Sequence, residues 1–288
     1  MKEEKMYPHR FLVPAMAVFC VMFMIPTIIS VYYSMTVWNF DSARFCGLDN
    51  YKMFLTDPSL SIGIKNTLIY SVLTSGSKVI LAFLIALFLC GKIRSKTYIR
   101  SAVFFPNLVS TIAVGATFAS LMHPTKGLIN HVLEFFSISG INWLGDGDIA
   151  LYSVILVDIW KGLSIATVIY IAGIQSIDTT YYEAAQIDGA NVWQRIRYIT
   201  LPLSASSRNS VIILSFIGGI RSFDLIWAMT GGGPGYATDT LASIIYKQYT
   251  AGYYGLSTAG NVIMLILILV LALPLQNYLY KKEEALQG

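Results

Sequence analysis

Five ionisable side chains lie inside stretches otherwise apolar enough to cross a lipid bilayer: Lys78, Asp158, Lys161, Arg221 and Asp224. On insertion scales a charge at the centre of a membrane helix costs about 2.5–3.5 kcal/mol, so such groups face a polar cavity or one another. Asp158 and Lys161 are three residues apart, as are Arg221 and Asp224, a spacing that puts each pair on one helix face. Counted at about 1.5 Å per residue from the outer ends of their helices, Asp158 is roughly 14 Å deep and Arg221 roughly 12 Å, both near the midplane. Carboxylate and guanidinium groups can grip hydroxyls bidentately, and Trp160 beside Asp158 offers a face for stacking, which suits a polyhydroxylated solute. The alternative is a pair of interhelical salt bridges that never touch solute. Lys78 is expected to snorkel or to pair structurally.

Other chemistries find no residues to carry them. His9, His123 and His131 form no HExxH, Cys20, Cys46 and Cys90 form no CxxC, and no GxxxxGK[ST] stretch occurs, so neither a metal site nor a nucleotide-hydrolysing P-loop is expected. The net charge of +4 is too scattered for a nucleic-acid surface.

The elements that must position the five charges follow from composition and run length. Of 288 residues 55% are hydrophobic and 12% charged, where soluble domains have about 45–50% and about 25%. Mean hydropathy is +0.61, and the chain reads as an all-α polytopic membrane protein. A bilayer core of about 30 Å needs roughly 20 apolar residues per helix. Six segments qualify: Phe11–Met35, Thr67–Cys90, Ala102–Met122, Ile149–Ile174, Asn209–Met229 and Leu256–Tyr280, with kinks expected at Pro14, Pro26 and Pro106. The first lacks a small-residue cleavage site and reads as an uncleaved signal anchor. Residues 1–65 then hold that anchor and the first external loop, 66–280 a five-helix core, and 281–288 a cytoplasmic tail. One set of inter-span segments carries twelve Lys and Arg (Lys2, Lys5, Arg10, Lys92, Arg94, Lys96, Arg100, Arg195, Arg197, Arg208, Lys281, Lys282) and the other five (Arg44, Lys52, Lys65, Lys126, Lys247), which predicts both termini in the cytoplasm.

Between the fourth and fifth spans, residues 175–203 are too polar for lipid and too patterned for a slack connection. Thr180 with Glu183 three later is a capping box, and Gly189 suits a left-handed helix stop. Asn191 with Gln194 starts a second short helix, expected to end near Thr200 before Pro202. The first helix exposes Tyr181, Tyr182, Ala184, Ala185 and Ile187, a face that a partner would cover. Spacing alone also allows an amphipathic loop lying on lipid headgroups, with Glu183 no more than a cap and Gly189 no more than a C-cap.

Glu183-Ala184-Ala185, Gly189, Ile199 and Leu201-Pro202, at these offsets, resemble the EAA loop of ABC-importer permeases. Asp188-Gly189-Ala190, and Thr230-Gly-Gly-Gly-Pro234 followed by Ala237-Thr238, look like the MalF-type permeases of carbohydrate importers. The resemblance covers roughly Phe11 to Leu275. It implies a type I ABC importer permease fold with six transmembrane helices and a cytoplasmic EAA coupling helix, in a bacterial cell membrane. It also implies a second, MalG-like permease, a dimeric ABC ATPase that holds ATP and magnesium, and an extracellular or periplasmic solute-binding protein. Tyr182, Glu183, Ala184, Ala185, Asp188, Gly189, Ala190, Leu201 and Pro202 would couple to the ATPase. Asn107, Asp158, Trp160, Lys161, Gly162, Ser215 and Gly219 fall at family sugar-contact positions, joined by Arg221 and Asp224 from the charge pattern. The sequence departs from the maltose-type pattern where Asp158 replaces an amide, Ile165 an aromatic, and Gly218 and Gly219 an aromatic and an amide. The fifth span is therefore expected to be roomier, with Arg221 supplying polar contacts.

The expected function is the permease subunit of an ATP-driven sugar importer working by alternating access, not itself an enzyme. The runners-up are a glycerol-phosphate or polyol importer, an ion-coupled secondary transporter using the charged pairs as a relay, and a non-transporting scaffold.

Overall fold

A computed structural model describes residues 9–39, 42–91 and 95–287. Lys2, Lys5, Lys92 and Arg94 of the basic segments lie outside the described residues. The first helix, α1, spans Val13–Ser34. It is followed by a two-stranded antiparallel ribbon, β1 (Thr36–Trp38) and β2 (Ala43–Phe45), paired Val37 to Arg44. That ribbon is a correction to the all-α expectation: β-branched and aromatic residues in a short polar loop find partners across a hairpin. Then come α2 (Asp49–Thr56), α3 (Pro58–Cys90), α4 (Lys96–Leu108), α5 (Thr111–Leu121), α6 (Leu128–Phe135) and α7 (Ala150–Gln175). The second half holds α8 (Thr179–Ile187), α9 (Val192–Leu203), α10 (Ala205–Ile220), α11 (Asp224–Thr230), α12 (Leu241–Thr250) and α13 (Tyr254–Gln287).

Four helices, α1, α3, α7 and α13, are each long and apolar enough to cross a membrane. The other two expected spans are broken. The third bends by 98° between α4 and α5, and α9 bends by 68° into α10; counting each bent pair as one span gives six. The fifth span, expected to run unbroken to Met229, ends at Ile220, and a new helix starts at Asp224.

Both bends fall just past a proline, Pro106 and Pro202, but not every proline bends its helix. Pro26 and Pro202 each follow a widened turn, Cys20–Met24 and Ile196–Thr200, whose last amide bond reaches back five residues, from Ile25 N–H to Cys20 and from Leu201 N–H to Ile196. A widened turn moves backbone carbonyls away from the oncoming ring, so the helix passes through the proline. The second short helix of the 175–203 loop therefore does not stop before Pro202 as expected; it continues to Leu203. Pro106 has no such turn before it, and α4 ends two residues later at Leu108; the widened turn does not decide passage by itself, because α9 ends one residue past Pro202 and α13 runs through Pro274 without one.

The 33-residue helix α3, about 50 Å long at 1.5 Å per residue, is the central post. Its buried side is a stripe of small residues, Thr67, Ser71, Thr74, Ser75, Ala82 and Ala86, against which α7 and α10 approach closely. Its start is capped by Asp57, whose carboxylate accepts from Ser59 N–H at 2.8 Å and the Ser59 hydroxyl at 2.6 Å. Apolar clusters form at three levels. Phe54, Leu241 and Ile244 pack at one end of the post, Tyr70, Val154 and Ile226 near its middle, and Ala86, Tyr170 and Val211 towards the other end. By contrast α1 stands with its apolar length exposed to the surroundings.

Candidate functional site

The midspan charges do not pair as their spacing predicts. Asp158 Oδ2 accepts from Lys78 Nζ at 2.6 Å, joining α3 to α7, with the two side chains 21% and 10% exposed. Lys161 instead donates to the Val109 carbonyl at 2.8 Å and the Pro106 carbonyl at 3.4 Å. A cation on the free carbonyls at the C-terminal end of α4 offsets the helix dipole where the third span breaks. Lys161 is thus spent on holding the bend, which corrects its reading as half of a charged pair. Arg221 closes the end of α10 and Asp224 opens α11, so these two share no continuous helix face, and no ion pair joins them among the described residues.

A cavity of about 270 Å³ between α3, α7 and α10 is lined by Lys78, Gly162, Ile165, Leu214, Ser215 and Gly218, among others. A Cβ at Gly162 would meet the end of the Lys78 side chain, which would have to shift to admit it. Of the expected sugar-contact residues, the structure brings Gly162 and Ser215 to this cavity, with Asp158 tied to its wall through Lys78. Four others lie elsewhere, Lys161 on the carbonyls at the end of α4 and three more besides. Gly219 is buried against Ser71 and Thr74 of α3, where a Cβ would meet the Ser71 backbone; the roomier face of α10 is the Gly218 side, which is open. Trp160 packs on Phe118 of α5 at 5.2 Å between ring centroids and remains 42% exposed. Asn107 sits half-buried beside Pro106, near the end of α4. Arg221 lines a different cavity, of about 640 Å³, with Asn261 between α1, α10 and α13. The expectation that Lys78 pairs structurally is met by its bridge to Asp158. The signal was its place on the small-residue stripe of α3, a position that faces inward.

The 175–203 loop folds as two short helices with a glycine elbow. Its cap is Asp178, not Thr180: the Asp178 carboxylate accepts from Thr180 N–H at 2.9 Å and from the Thr180 hydroxyl at 2.8 Å. Those bonds, the backbone one foremost, hold its carboxyl below the usual Asp range. Asp wins the cap because it precedes Thr179 in extended backbone, where a side-chain oxygen reaches the first free amides. Glu183 is consequently in the second turn of α8, beyond the capping position, and is exposed with no hydrogen bond or ion pair among the described residues. Gly189 adopts φ +74°, with Ala190 N–H on the Ala185 carbonyl at 2.8 Å and Gly189 N–H on the Gln186 carbonyl at 3.1 Å, a Schellman stop. Asn191 and Gln194 form the expected reciprocal capping box at 2.9 and 2.7 Å.

Tyr182 alone of the α8 face turns inward, its hydroxyl 3.0 Å from the Thr200 hydroxyl on α9. Tyr181 (56%) and Ile187 (87%) stand exposed, as do Glu183, Ala184 and Asp188. Ala185, Ala190 and Pro202 are half-buried, and Leu201 is exposed at the bend into α10. Helix α8 is therefore linked to a helix that continues into α10, which lines the cavity.

The chain is thus a multi-pass helical bundle with a largely apolar midspan cavity, walled on one side by the Lys78–Asp158 pair, and an exposed helical elbow. Residues 13–284 match the binding-protein-dependent transport system inner membrane component family, and the chain belongs to it. It is 30% identical over 279 residues, 95% of this chain and 96% of the other, to a probable ABC transporter permease of Pyrococcus horikoshii. It is also 33% identical over 225 residues, 78% and 76% of the two chains, to the trehalose/maltose transport system permease protein MalF of Thermococcus litoralis. The fold superposes with a TM-score of 0.83, at 23% identity over 95% and 94% of the chains, on a bacterial ABC transporter involved in the import of the acidic polysaccharide alginate.

Proposed function

We propose that this chain is one of two permeases in an ATP-driven, binding-protein-dependent importer of sugars, oligosaccharides foremost, working by alternating access. The observation that carries the reading is the continuous connection from an exposed, capped elbow at α8, through Tyr182–Thr200 and α9, to the cavity wall on α10. A transporter without its own nucleotide site needs such a lever. In this reading α8 enters a cleft of a partner ATPase, which holds ATP and magnesium, and the unpaired Glu183 meets an arginine there. The basic loops set the α8 side, and with it both termini, in the cytoplasm; the solute-binding protein then docks on the opposite face.

The cavity supports a second permease as well. At about 270 Å³ it is smaller than the roughly 300–1,000 Å³ of ordinary ligand sites, and a facing subunit completes it. Cargo is neutral in this reading because the cavity's own cation, Lys78, is already neutralised by Asp158 and Lys161 is occupied by carbonyls. Arg221, with no ion pair among the described residues, is the feature that favours glycerol-phosphate cargo as the alternative.

The test is reconstitution with the partner permease, ATPase and binding protein. Glu183→Ala and Gly189→Pro are expected to abolish stimulation of ATP hydrolysis by the loaded binding protein while the complex still assembles. Normal uptake by both variants would remove α8 as the coupling helix. Uptake that survives ATP depletion but collapses with the membrane gradient would instead identify an ion-coupled carrier.

A further inference from the structure

A separate cavity, of about 410 Å³, opens between α4 and α7 against the end of α3. Its walls are apolar, formed by Leu89, Val103, Phe104, Val168 and Ile171. Three polar residues line it, and while the Ser101 hydroxyl donates to the Thr97 carbonyl at 3.1 Å, Arg100 and Thr167 carry atoms without a partner. Nε and Nη2 of Arg100 are buried with no hydrogen bond among the described residues, and so is Oγ1 of Thr167, a residue only 1% exposed. A threonine in a membrane helix ordinarily donates to the carbonyl one turn back; Thr167 does not. Lower down, the Ser164 hydroxyl on the Val103 carbonyl at 2.8 Å fastens α7 to α4.

The depth of the site is set by three helix ends. Arg100 is in the first turns of α4, which starts at Lys96; Leu89 is next to the last residue of α3; and Ile171 is one turn from the end of α7. All three lie towards the end of the bundle that carries the excess of Lys and Arg. A buried guanidinium without an acceptor is the costliest kind of orphan, and it calls for an anion. A soluble anion would not account for the apolar slot running deeper from it, nor an acyl chain for the guanidinium. Basic pockets between membrane helices on the cytoplasmic side are where anionic headgroups bind.

We propose that this groove binds one anionic phospholipid. The phosphodiester sits on Arg100 Nε and Nη2, a glycerol ester carbonyl accepts from Thr167, and an acyl chain fills the slot between α4 and α7. Only the choice of leaflet rests on the orientation proposed above: labelling of the termini tests that separately, and its failure leaves the lipid site standing.

The assembled importer, purified in a neutral detergent and titrated with phosphatidylglycerol or phosphatidylcholine, tests the site by native mass spectrometry and thermal unfolding. Wild type should retain and be stabilised by phosphatidylglycerol over phosphatidylcholine. Arg100→Gln should weaken that retention about tenfold, the loss of one charge-assisted contact. Val168→Trp, which fills the slot and keeps the guanidinium, should weaken it too, so the test survives an Arg100 variant that fails to assemble. Equal retention by wild type and Val168→Trp overturns the proposal. So does stabilisation by inorganic phosphate that matches the lipid, which would make this a soluble-anion site, or loss of the partner permease from Arg100→Gln with lipid retention unchanged.

Discussion

The loops at the two faces of the bundle draw on the same polar residue types and end in opposite states. Between α11 and α12 the chain Thr230–Thr240 is closed on itself. Asp239 is fully buried, its carboxylate accepting from Lys247 at 2.6 Å and from the Ser243 hydroxyl at 2.7 Å. Asn66 of α3 donates to the carbonyls of Ala237 and Asp239 at 3.0 and 2.9 Å, and Thr67 accepts from Leu241 N–H at 2.8 Å. Gly232, at φ +94°, lies so near the Asp239 carboxylate that a Cβ would strike it. At the other face, α8 and α9 are shaped only by their own caps and one hydroxyl contact, with Glu183, Tyr181 and Ile187 facing outward. A loop whose polar groups are taken up by the helices around it is held in one shape by them. One that is satisfied only at its ends keeps a local shape and leaves its outer face uncovered within this chain.

If that contrast holds, substitutions in the closed loop should cost stability and those in the open loop should cost transport. The largest effect is expected from Asp239→Ala, which strands the Lys247 ammonium and should lower unfolding stability by about 3 kcal/mol, read as thermal unfolding of the purified complex. Asn66→Ala removes the link from α3 to the loop carbonyls and should cost about 2 kcal/mol by the same measurement. Gly189→Ala puts a Cβ at φ +74°, a local penalty of about 1–2 kcal/mol. Because the elbow is exposed, the unfolding midpoint should barely move while coupled uptake drops severalfold. A large fall in midpoint with uptake intact would erase the distinction between the loops.

The smallest effect concerns pH. Asp178 has its carboxyl held below the usual range by Thr180, so its cap is fully present above the unfolded value of about 3.9 and is lost as pH falls through the lower folded value. The protection factors of the amides at the start of α8, which are exchange rates corrected for the intrinsic pH dependence, should therefore stay flat from pH 8 to 5, and fall throughout that range in Asp178→Ala. Asp57, held low at the start of α3 by the Ser59 hydroxyl and amide, should behave alike at the opposite face.

Local chemistry was legible where it is decided locally. The Asn191–Gln194 box, the stop at Gly189 and the positions of the long apolar helices follow from residue type within a few positions, since a cap or a lipid-crossing run is satisfied by its own neighbours. The Asp178 cap was open to the same reasoning but was masked by the Thr180–Glu183 pattern, which fits a capping box two residues too far along. Helix breaks were harder. Pro26, Pro106, Pro202 and Pro274 look alike in sequence, yet α1 and α13 run on through theirs while α4 and α9 end within two residues of theirs.

Residue spacing along the chain determined that Asp158 and Lys161 could share a helix face, that Gly189 would end a helix, and that 12% charge implies a bilayer as the main surrounding. Tertiary structure alone decided that Asp158 takes Lys78, 80 residues away, that Lys161 turns to the carbonyls freed at the α4 break, and that Gly219 is a crossing point while Gly218 faces a cavity. The reason is physical: in low dielectric a charge must find the strongest partner within reach. Reach is set by how closely the helices pack, which small residues on α3, α7 and α10 permit and no single helix can reveal.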